Sequence, residues 1–345
     1  MEAKMIKSPV RTLRSLSFAA VLMAFAIPAH AEPLEIRFGT ANFPSNMAPA
    51  IWKVPEGVLK NFGKTYTVKV ERGASSSAQT TAMAAGQIDV AMFSPANFDL
   101  AVINAKLNMR VIGDGVQDGV GDYRSQTLYV KTESPIKTAK DLKGKIIGIN
   151  GIGSAGYTAV VGMLRTNGLS EKTDVTFIEV PFSSQMAMTE DGKIDASTLD
   201  DAQGAELVKA GKYRAVFSSA QALGPTQFNF IASTKEFLEK NDAVMKDMME
   251  DYTRSMKWYM DPKNRDAALK IISEIAKRSP ESLYYIFTKL DYYRDPNLLP
   301  NIPGIQKTID FSHEVGFLKE KIDVAATYVD LSFVEEANKR IAAKP

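Results

Sequence analysis

The 345-residue chain has no cysteine. That absence removes disulfide staples, thiol nucleophiles, cysteine metal sites and a lipid-linked leader together, since each needs a thiol. Histidine is almost as scarce, with only His30 and His313. A Ser-His-Asp centre would have to use His313, in Ser312-His313-Glu314, and no Gly-x-Ser-x-Gly elbow accompanies it. A His/Cys metal cluster has no ligands to build from. Charge of one sign is missing too: 42 Lys and Arg face 40 Asp and Glu, leaving no basic surplus for a nucleic-acid backbone. The neighbouring acids Asp200 and Asp201 are the nearest thing to a paired-carboxylate site, but adjacent residues rarely point into one site. There is no low-complexity tract or long linker.

The first residues have a form of their own. Lys4, Lys7, Arg11 and Arg14 make a basic opening, Ser15 to Pro28 is mostly apolar but too short to span a bilayer, and Ala29-His30-Ala31 offers a small-x-small cleavage site. This pattern predicts an export signal over 1–31, cleaved after Ala31, and a soluble product in a bacterial periplasm. The leader holds four Lys or Arg and one Glu, so its loss takes the formal charge from +2 to −1. Roughly 310 residues remain, enough for two domains with cores of their own.

Those residues contain a repeat. Ser77, Gln79, Gly86, Ile88 and Asp89 match Ser183, Gln185, Gly192, Ile194 and Asp195 without a gap. Each copy reads as a helix ended by Gly, whose left-handed conformation is free of strain, followed by an apolar strand. The flanks agree: Ile36 to Phe43, a strand running into a turn before a helix, corresponds to Ile146 to Gly153, and Val68-Lys69-Val70 to Val175-Thr176-Phe177. Two similar α/β lobes follow, with the useful surface between them, where strand ends and helix N-termini of both face one cleft.

A coarse pass places a strand at Leu34 to Thr40, a helix from about Met47 to Phe62, and strands at Tyr66 to Glu71 and Ile88 to Phe93. A helix at Pro95 to Lys106 and a strand at Arg110 to Gly113 come next, and Gln126 to Lys131 reads as a strand leaving the first lobe. The second lobe opens with Ser134 to Ile149 and closes near Phe217, and Gln227 to Ala232 reads as the strand that crosses back. Two crossings make a hinge. Residues from Lys235 to Ala343 read as amphipathic helices packed on the first lobe, interrupted at Pro262, Pro280 and Asp295-Pro296.

The leader, Ile36-Arg-Phe-Gly-Thr40, Gly86-Gln-Ile-Asp-Val-Ala91, Asp141-Leu-Lys-Gly-Lys-Ile-Ile-Gly-Ile149, a Gly/Ser turn and Gly192-Lys-Ile-Asp-Ala196 together resemble the periplasmic solute-binding proteins of ABC importers. Their order is most similar to the nitrate, taurine and alkanesulfonate group, which includes relatives for thiamine-pyrimidine precursors. The resemblance spans about Leu34 to Ser233. It implies a two-lobed α/β fold of the type II kind, each lobe a β-sheet flanked by helices, with a two-strand hinge. Lobe one would comprise 32–131 plus 226–345 and lobe two 132–225. It also implies a monomer that closes on a small molecule and delivers it to an inner-membrane permease, with no cofactor, metal or catalysis. A periplasmic sensor on the same lobes is the alternative. A thiamine-pyrimidine-synthase-like enzyme is disfavoured, because such chemistry leans on His and Cys.

Candidate ligand residues follow from the turns. Asn150 to Tyr157 lies between a buried strand and a helix starting near Ser154, so free N–H groups point outward at the positive end of the helix dipole, an anion site. Gly153, Ser154, Ala155 and Gly156 are its members; plain N-capping by Ser154 is the structural alternative. Gly151, Gly153 and Gly156 do not make a dinucleotide fingerprint, lacking an acidic ribose partner. The opposite wall would be Phe43, Ser45 and Asn46 after the first strand, Ser75 and Ser76 after the second, and Ser94 after the repeated strand, each of which could equally cap a helix. Repeat symmetry sets Ser94 against Asp200 and Ser76 against Phe182. Asp200 and Asp201 would add carboxylates for an amine or hydroxyl on the ligand, or else cap the next helix. Phe43, Trp52, Phe93, Phe98, Tyr157 and Phe182 could sandwich an organic body or belong to the core. Arg72 and Arg124 could clamp a carboxylate or sulfonate, or stand as exposed strand-end charges.

Overall fold

The computed structural model describes residue 1 and residues 32–40, 43–73, 76–123 and 126–343, apart from the side chains of 76, 77, 182, 183 and 202. The expected leader and its cleavage site fall outside the described residues, Met1 excepted.

The strands run in chain order as β1 (Leu34–Thr40), β2 (Tyr66–Arg72), β3 (Val90–Phe93), β4 (Met109–Asp118), β5 (Gln126–Lys131), β6 (Lys145–Ile149), β7 (Val175–Glu179), β8 (Ala196–Asp200), β9 (Tyr213–Ser218) and β10 (Thr226–Thr234). They form two sheets of identical design, β2-β1-β3-β10-β4 and β7-β6-β8-β5-β9. In each, four strands share one direction and the fifth, which the chain enters directly from the other lobe, runs against them: β10 between β3 and β4, β5 between β8 and β9. The molecule is a two-lobed α/β structure with the periplasmic-binding-protein type II fold.

The repeated residues do the same work in both sheets. The helices α1 (Ala48–Ile51), α2 (Ser76–Ala84) and α3 (Pro95–Ile103) belong to the first lobe, and α4 (Ala155–Thr166), α5 (Phe182–Glu190), α6 (Asp201–Lys209) and α7 (Ser219–Leu223) to the second. Gly86 and Gly192 end α2 and α5 with φ of 66° and 71°. Asp89 accepts the Arg37 N–H of β1 at 2.8 Å, and Asp195 accepts the Ile146 N–H of β6 at 2.8 Å, so each carboxylate ties the repeat to its first strand. Ile88 packs on Gly39 and Ile194 on Gly148; a Cβ on either glycine would come within 2.7 Å of the isoleucine Cδ1. Buried Gln79 and Gln185 sit beside the same two glycines.

Three sequence expectations need correction. The strand Gln126 to Lys131 does not belong to the first lobe: Leu128 and Val130 bury against Ile147, Ile149 and Phe217, so β5 sits inside the second sheet and the first crossing lies between Asp118 and Gln126. The helix expected from Met47 to Phe62 stops at Ile51. Pro55 disfavours helix at the residue before it, and the N–H groups of Lys60, Asn61 and Phe62 turn to the buried Asp251 carboxylate at 2.6, 2.9 and 2.8 Å instead of to helical carbonyls. The strand expected at Arg110 to Gly113 is ten residues long, because C-terminal segments cover the β4 edge. Gln117 and Tyr293 exchange both backbone hydrogen bonds, and Asp114 N–H donates to Leu298 O.

The crossings lie side by side. Gly119 and Gly224 both have positive φ (69° and 68°), and a Cβ on Gly119 would sit 3.2 Å from the Gly224 carbonyl. The C-terminal helices are α8 (Lys235–Lys240), α9 (Asp242–Met260), α10 (Arg265–Ala276), α11 (Ile302–Glu314), α12 (Val324–Thr327) and α13 (Ser332–Ala342). Met245, Met248, Met249, Tyr252, Met256 and Tyr259 make the buried stripe of α9, at helical spacing, and pack with Ile36, Phe38 and Met92 on one face of the first sheet. Phe98 of α3 and Ile305 and Ile309 of α11 cover the other face with Phe93 and Phe230. No described helix is long and apolar enough to cross a membrane.

Candidate functional site

The two lobes meet where their parallel strands end. Ser94, Ala96, Asp118 and Phe228 of the first lobe face Gly153, Ala155, Thr158 and Ser219 of the second around a small space of about 20 Å³. Contacts cross this seam. A Cβ on Gly153 would lie 2.3 Å from Phe317 Cζ, so the ring rests on bare backbone. Ser219 Oγ donates to Asp118 Oδ2 at 2.5 Å, and Arg165 Nη1 and Nη2 donate to the carbonyls of Glu314 (3.4 Å) and Val315 (3.3 Å).

The second-lobe wall is the first turn of α4. Ser154 takes the N-cap position and its Oγ accepts the Tyr157 N–H at 3.2 Å, while its own N–H donates to Gly151 O at 3.1 Å. The N–H groups without an acceptor inside the helix are therefore those of Ala155, half-buried, and Gly156, buried; the expected free donor at Ser154 is spent in the turn. Gly153 has φ of 77°, and a Cβ on Gly156 would strike Gln126 Oε1 at 2.8 Å, so both glycines serve close approach. In the first lobe Ser94 N-caps α3 by position only, and its Oγ accepts from Asn97 Nδ2 at 3.0 Å.

Asp200 ends β8 and takes the N-cap position of α6, as Ser94 follows β3 at the N-cap of α3, but its carboxylate does not cap α6. Tyr292 Oη donates to Asp200 Oδ1 at 2.8 Å and Gln126 Nε2 donates to the same oxygen at 3.3 Å. Burial raises the Asp200 carboxyl to about 6 against the lowering effect of these donors, with Asp291 and Asp201 adding to the rise. Asp201 accepts from Tyr129 Oη at 3.1 Å. Tyr292 packs on Phe228 with the rings tilted at 53° and 5.0 Å between ring centres, and Arg294, paired with Asp291 at 2.5 Å, donates to Ser45 O at 3.0 Å. Behind this group the fully buried Asp114 accepts from Gln227 Nε2 (2.6 Å) and Asp295 N–H (2.9 Å), and burial lifts its carboxyl to about 7.

The family model described as NMT1/THI5 like matches residues 66–265, more than half of the chain. The chain belongs to the NMT1/THI5-like family. The fold of this NMT1/THI5-like chain is shared with the alkanesulfonate-binding protein SsuA from Xanthomonas axonopodis pv. citri bound to MOPS, at 19% identity, TM-score 0.67, covering 88% of this chain and 100% of that one. The periplasmic nitrate-binding protein NrtA from Synechocystis PCC 6803 is similar at 13% identity, TM-score 0.67, over 90% and 89%. A mutant of the desulfurization enzyme DszB in complex with biphenyl-2-sulfinic acid is similar at 14% identity, TM-score 0.62, over 88% and 99%. No curated protein matches the sequence significantly.

In this NMT1/THI5-like chain the residues singled out from the sequence divide into three groups. Ser94, Gly153 and Ala155 line one space, and Ser154, Gly156 and Asp200 stand at its edge. Others serve structure. Phe43 packs on the first-lobe core, Asn46 is buried with Oδ1 accepting the Ala48 N–H at 3.2 Å, and Ser45 contributes its carbonyl to Arg294. Trp52 lies against Phe38 and Tyr252, Phe93 against Phe98, and Tyr157 against Phe177, all within hydrophobic clusters. Arg72 is exposed at the end of β2, beside a separate hollow of about 480 Å³ lined also by Arg37, Lys69 and Gln87. Ser75 and Arg124 lie outside the described residues, as do the side chains of Ser76 and Phe182, which open α2 and α5. His313 is exposed on α11, and no group of three or more His, Asp or Glu that could hold a metal ion occurs among the described residues. The rings and polar groups at the seam that sequence reasoning missed are Phe228, Tyr292, Phe317 and Gln126. The only signal for Tyr292 was Asp291-Tyr-Tyr-Arg-Asp-Pro296, an aromatic and charged run ending in a helix breaker.

Proposed function

We propose that this protein is the substrate-binding component of an ABC importer, working in a bacterial periplasm and handing a small organic anion, a sulfonate or carboxylate, to an inner-membrane permease. The observation that carries the reading is the seam itself: the first turn of α4, where the N–H groups of Ala155 and Gly156 have no acceptor within the helix, meets the Ser94 turn of the other lobe. A ligand bridging both walls favours the closed arrangement by its differential affinity for it. A helix N-terminus suits an oxyanion by its donors and its dipole. Two proteins of similar fold named above bind an alkanesulfonate and nitrate, which agrees with an oxyanion ligand here. The export pattern at the start of the sequence supports the compartment. The protein carries this out as a monomer, without cofactor, metal or turnover.

Thermal unfolding against ethanesulfonate, benzoate, nitrate and a pyrimidine tests the reading. A ligand at a hundred times its dissociation constant adds about 2.7 kcal/mol, a shift of several degrees. A rise with a sulfonate or carboxylate is expected. No rise with any of them, or chemical conversion of the added compound, overturns it.

A further inference from the structure

Asp200 reaches the seam with little positive charge around it. Tyr292 and Gln126 both donate to Oδ1, and Gln126 Oε1, in a side chain 3% exposed, has no hydrogen-bond partner among the described residues. The groups packed around the carboxyl are Asp201 from α6, Asp291 and Tyr292 from the segment before α11, and, farther out, Tyr285. Phe228 of β10 adds a neutral ring. The nearby cation, Arg294, is committed to Asp291 and to the Ser45 carbonyl. No Lys or Arg among the described residues makes a salt bridge with Asp200. An ionised carboxylate in this place has two donors on one oxygen, carboxylate neighbours and an amide oxygen left over beside it.

A proton resolves all three. A carboxylic acid and a primary amide associate through two hydrogen bonds, amide N–H to the acyl oxygen and acid O–H to the amide oxygen. The first is the 3.3 Å contact from Gln126 Nε2 to Oδ1. A proton on the other carboxyl oxygen, Oδ2, would supply the donor that Gln126 Oε1 lacks. We propose that Asp200 stands in the closed cleft as a carboxylic acid, paired with the Gln126 amide and fixed by the Tyr292 hydroxyl, so that closure takes up a proton and the cleft selects an anion without an ammonium group. The shift of this carboxyl to about 6 agrees. The inference deepens the anion-carrier reading and rests on it for the choice of ligand. It reverses the role expected from the sequence, in which Asp200 offers a carboxylate to an amine.

The test compares wild type with Asp200→Asn by calorimetry with ethanesulfonate between pH 7 and pH 5. An acid near 4 in the open form and near 6 in the closed form makes wild-type affinity rise about tenfold over that interval. Asp200→Asn, which keeps a neutral group there, loses the slope and binds more tightly than wild type at pH 7. Tyr292→Phe removes a donor that favours the carboxylate, so its slope moves to higher pH; this variant serves if the Asn protein folds poorly. At pH 7, 2-aminoethanesulfonate binds more weakly than ethanesulfonate. A pH slope that persists in Asp200→Asn, a flat or reversed slope in wild type, or preference for the amino compound overturns the proposal. If ethanesulfonate binds at no pH, the sulfonate reading fails, and scattering without ligand decides this one. Acid compaction in wild type but not in Asp200→Asn supports it, and identical behaviour of the two overturns it.

Discussion

Gly153 joins two demands on one residue, a left-handed backbone (φ 77°) and contact with the Phe317 ring. A methyl group there conflicts with both. Gly153→Ala should weaken ligand affinity tenfold or more and leave the free protein more open, read by calorimetry and by scattering. Phe317→Ala in the same chain should recover part of the loss, because it removes the clash and leaves only the backbone strain. Failure of that rescue would mean that the backbone conformation alone accounts for the glycine. At this scale the sequence was partly legible. The Gly/Ser turn announced itself through glycine placement before a helix. Phe317 and Tyr292 did not, since one aromatic residue in a helical region reads like any other until the chain path is known. Of the two readings open for Trp52, Phe93 and Phe98, ligand sandwich or core, the packing gives core.

The repeated unit explains why the element scale was the most legible. Gly86/Gly192 end a helix, Ile88/Ile194 pack on a strand glycine, and Asp89/Asp195 tie the turn to the first strand. These are local requirements, so they leave a local signature. They serve the frame, and the frame is where their loss should tell. Asp195→Ala should cost about 1–3 kcal/mol in urea unfolding, by stranding the Ile146 N–H, and leave ligand affinity within about twofold. A large affinity loss with unchanged stability would place Asp195 at the ligand instead. Non-local captures left no such trace. The segment after Ile51 has a plausible helical pattern, but its N–H groups answer to Asp251, about 190 residues away in sequence. The lobe assignment of β5 was hidden likewise: its apolar residues fit either sheet, and only pairing with β8 and β9 decides.

For the whole molecule, the two crossings and the covering C-terminal segment concentrate buried polar groups at the hinge. Burial raises Asp114 to about 7 and Asp200 to about 6, both from 3.8. The folded form of each holds its proton more firmly than the unfolded chain, so their contribution favours folding at low pH and is lost as pH rises from about 4 through 7. Glu171, held below its ordinary value by Arg165, acts the other way, but its stabilisation is already complete above about pH 4.5. The melting temperature should therefore fall between pH 5 and pH 8, and Asp114→Asn should flatten the decline, as followed by calorimetry. A melting temperature that climbs across that range contradicts the assignment of either carboxyl.

On the proposed function, an anion bridges the Ser94 turn and the first turn of α4 and draws the lobes together. Small-angle scattering of the protein with and without the solute giving the largest thermal shift tests it most directly. A smaller radius of gyration at saturation is expected, together with loss of that compaction in Gly153→Ala. A radius unchanged by a ligand that demonstrably binds would contradict closure and place the site elsewhere on the molecule.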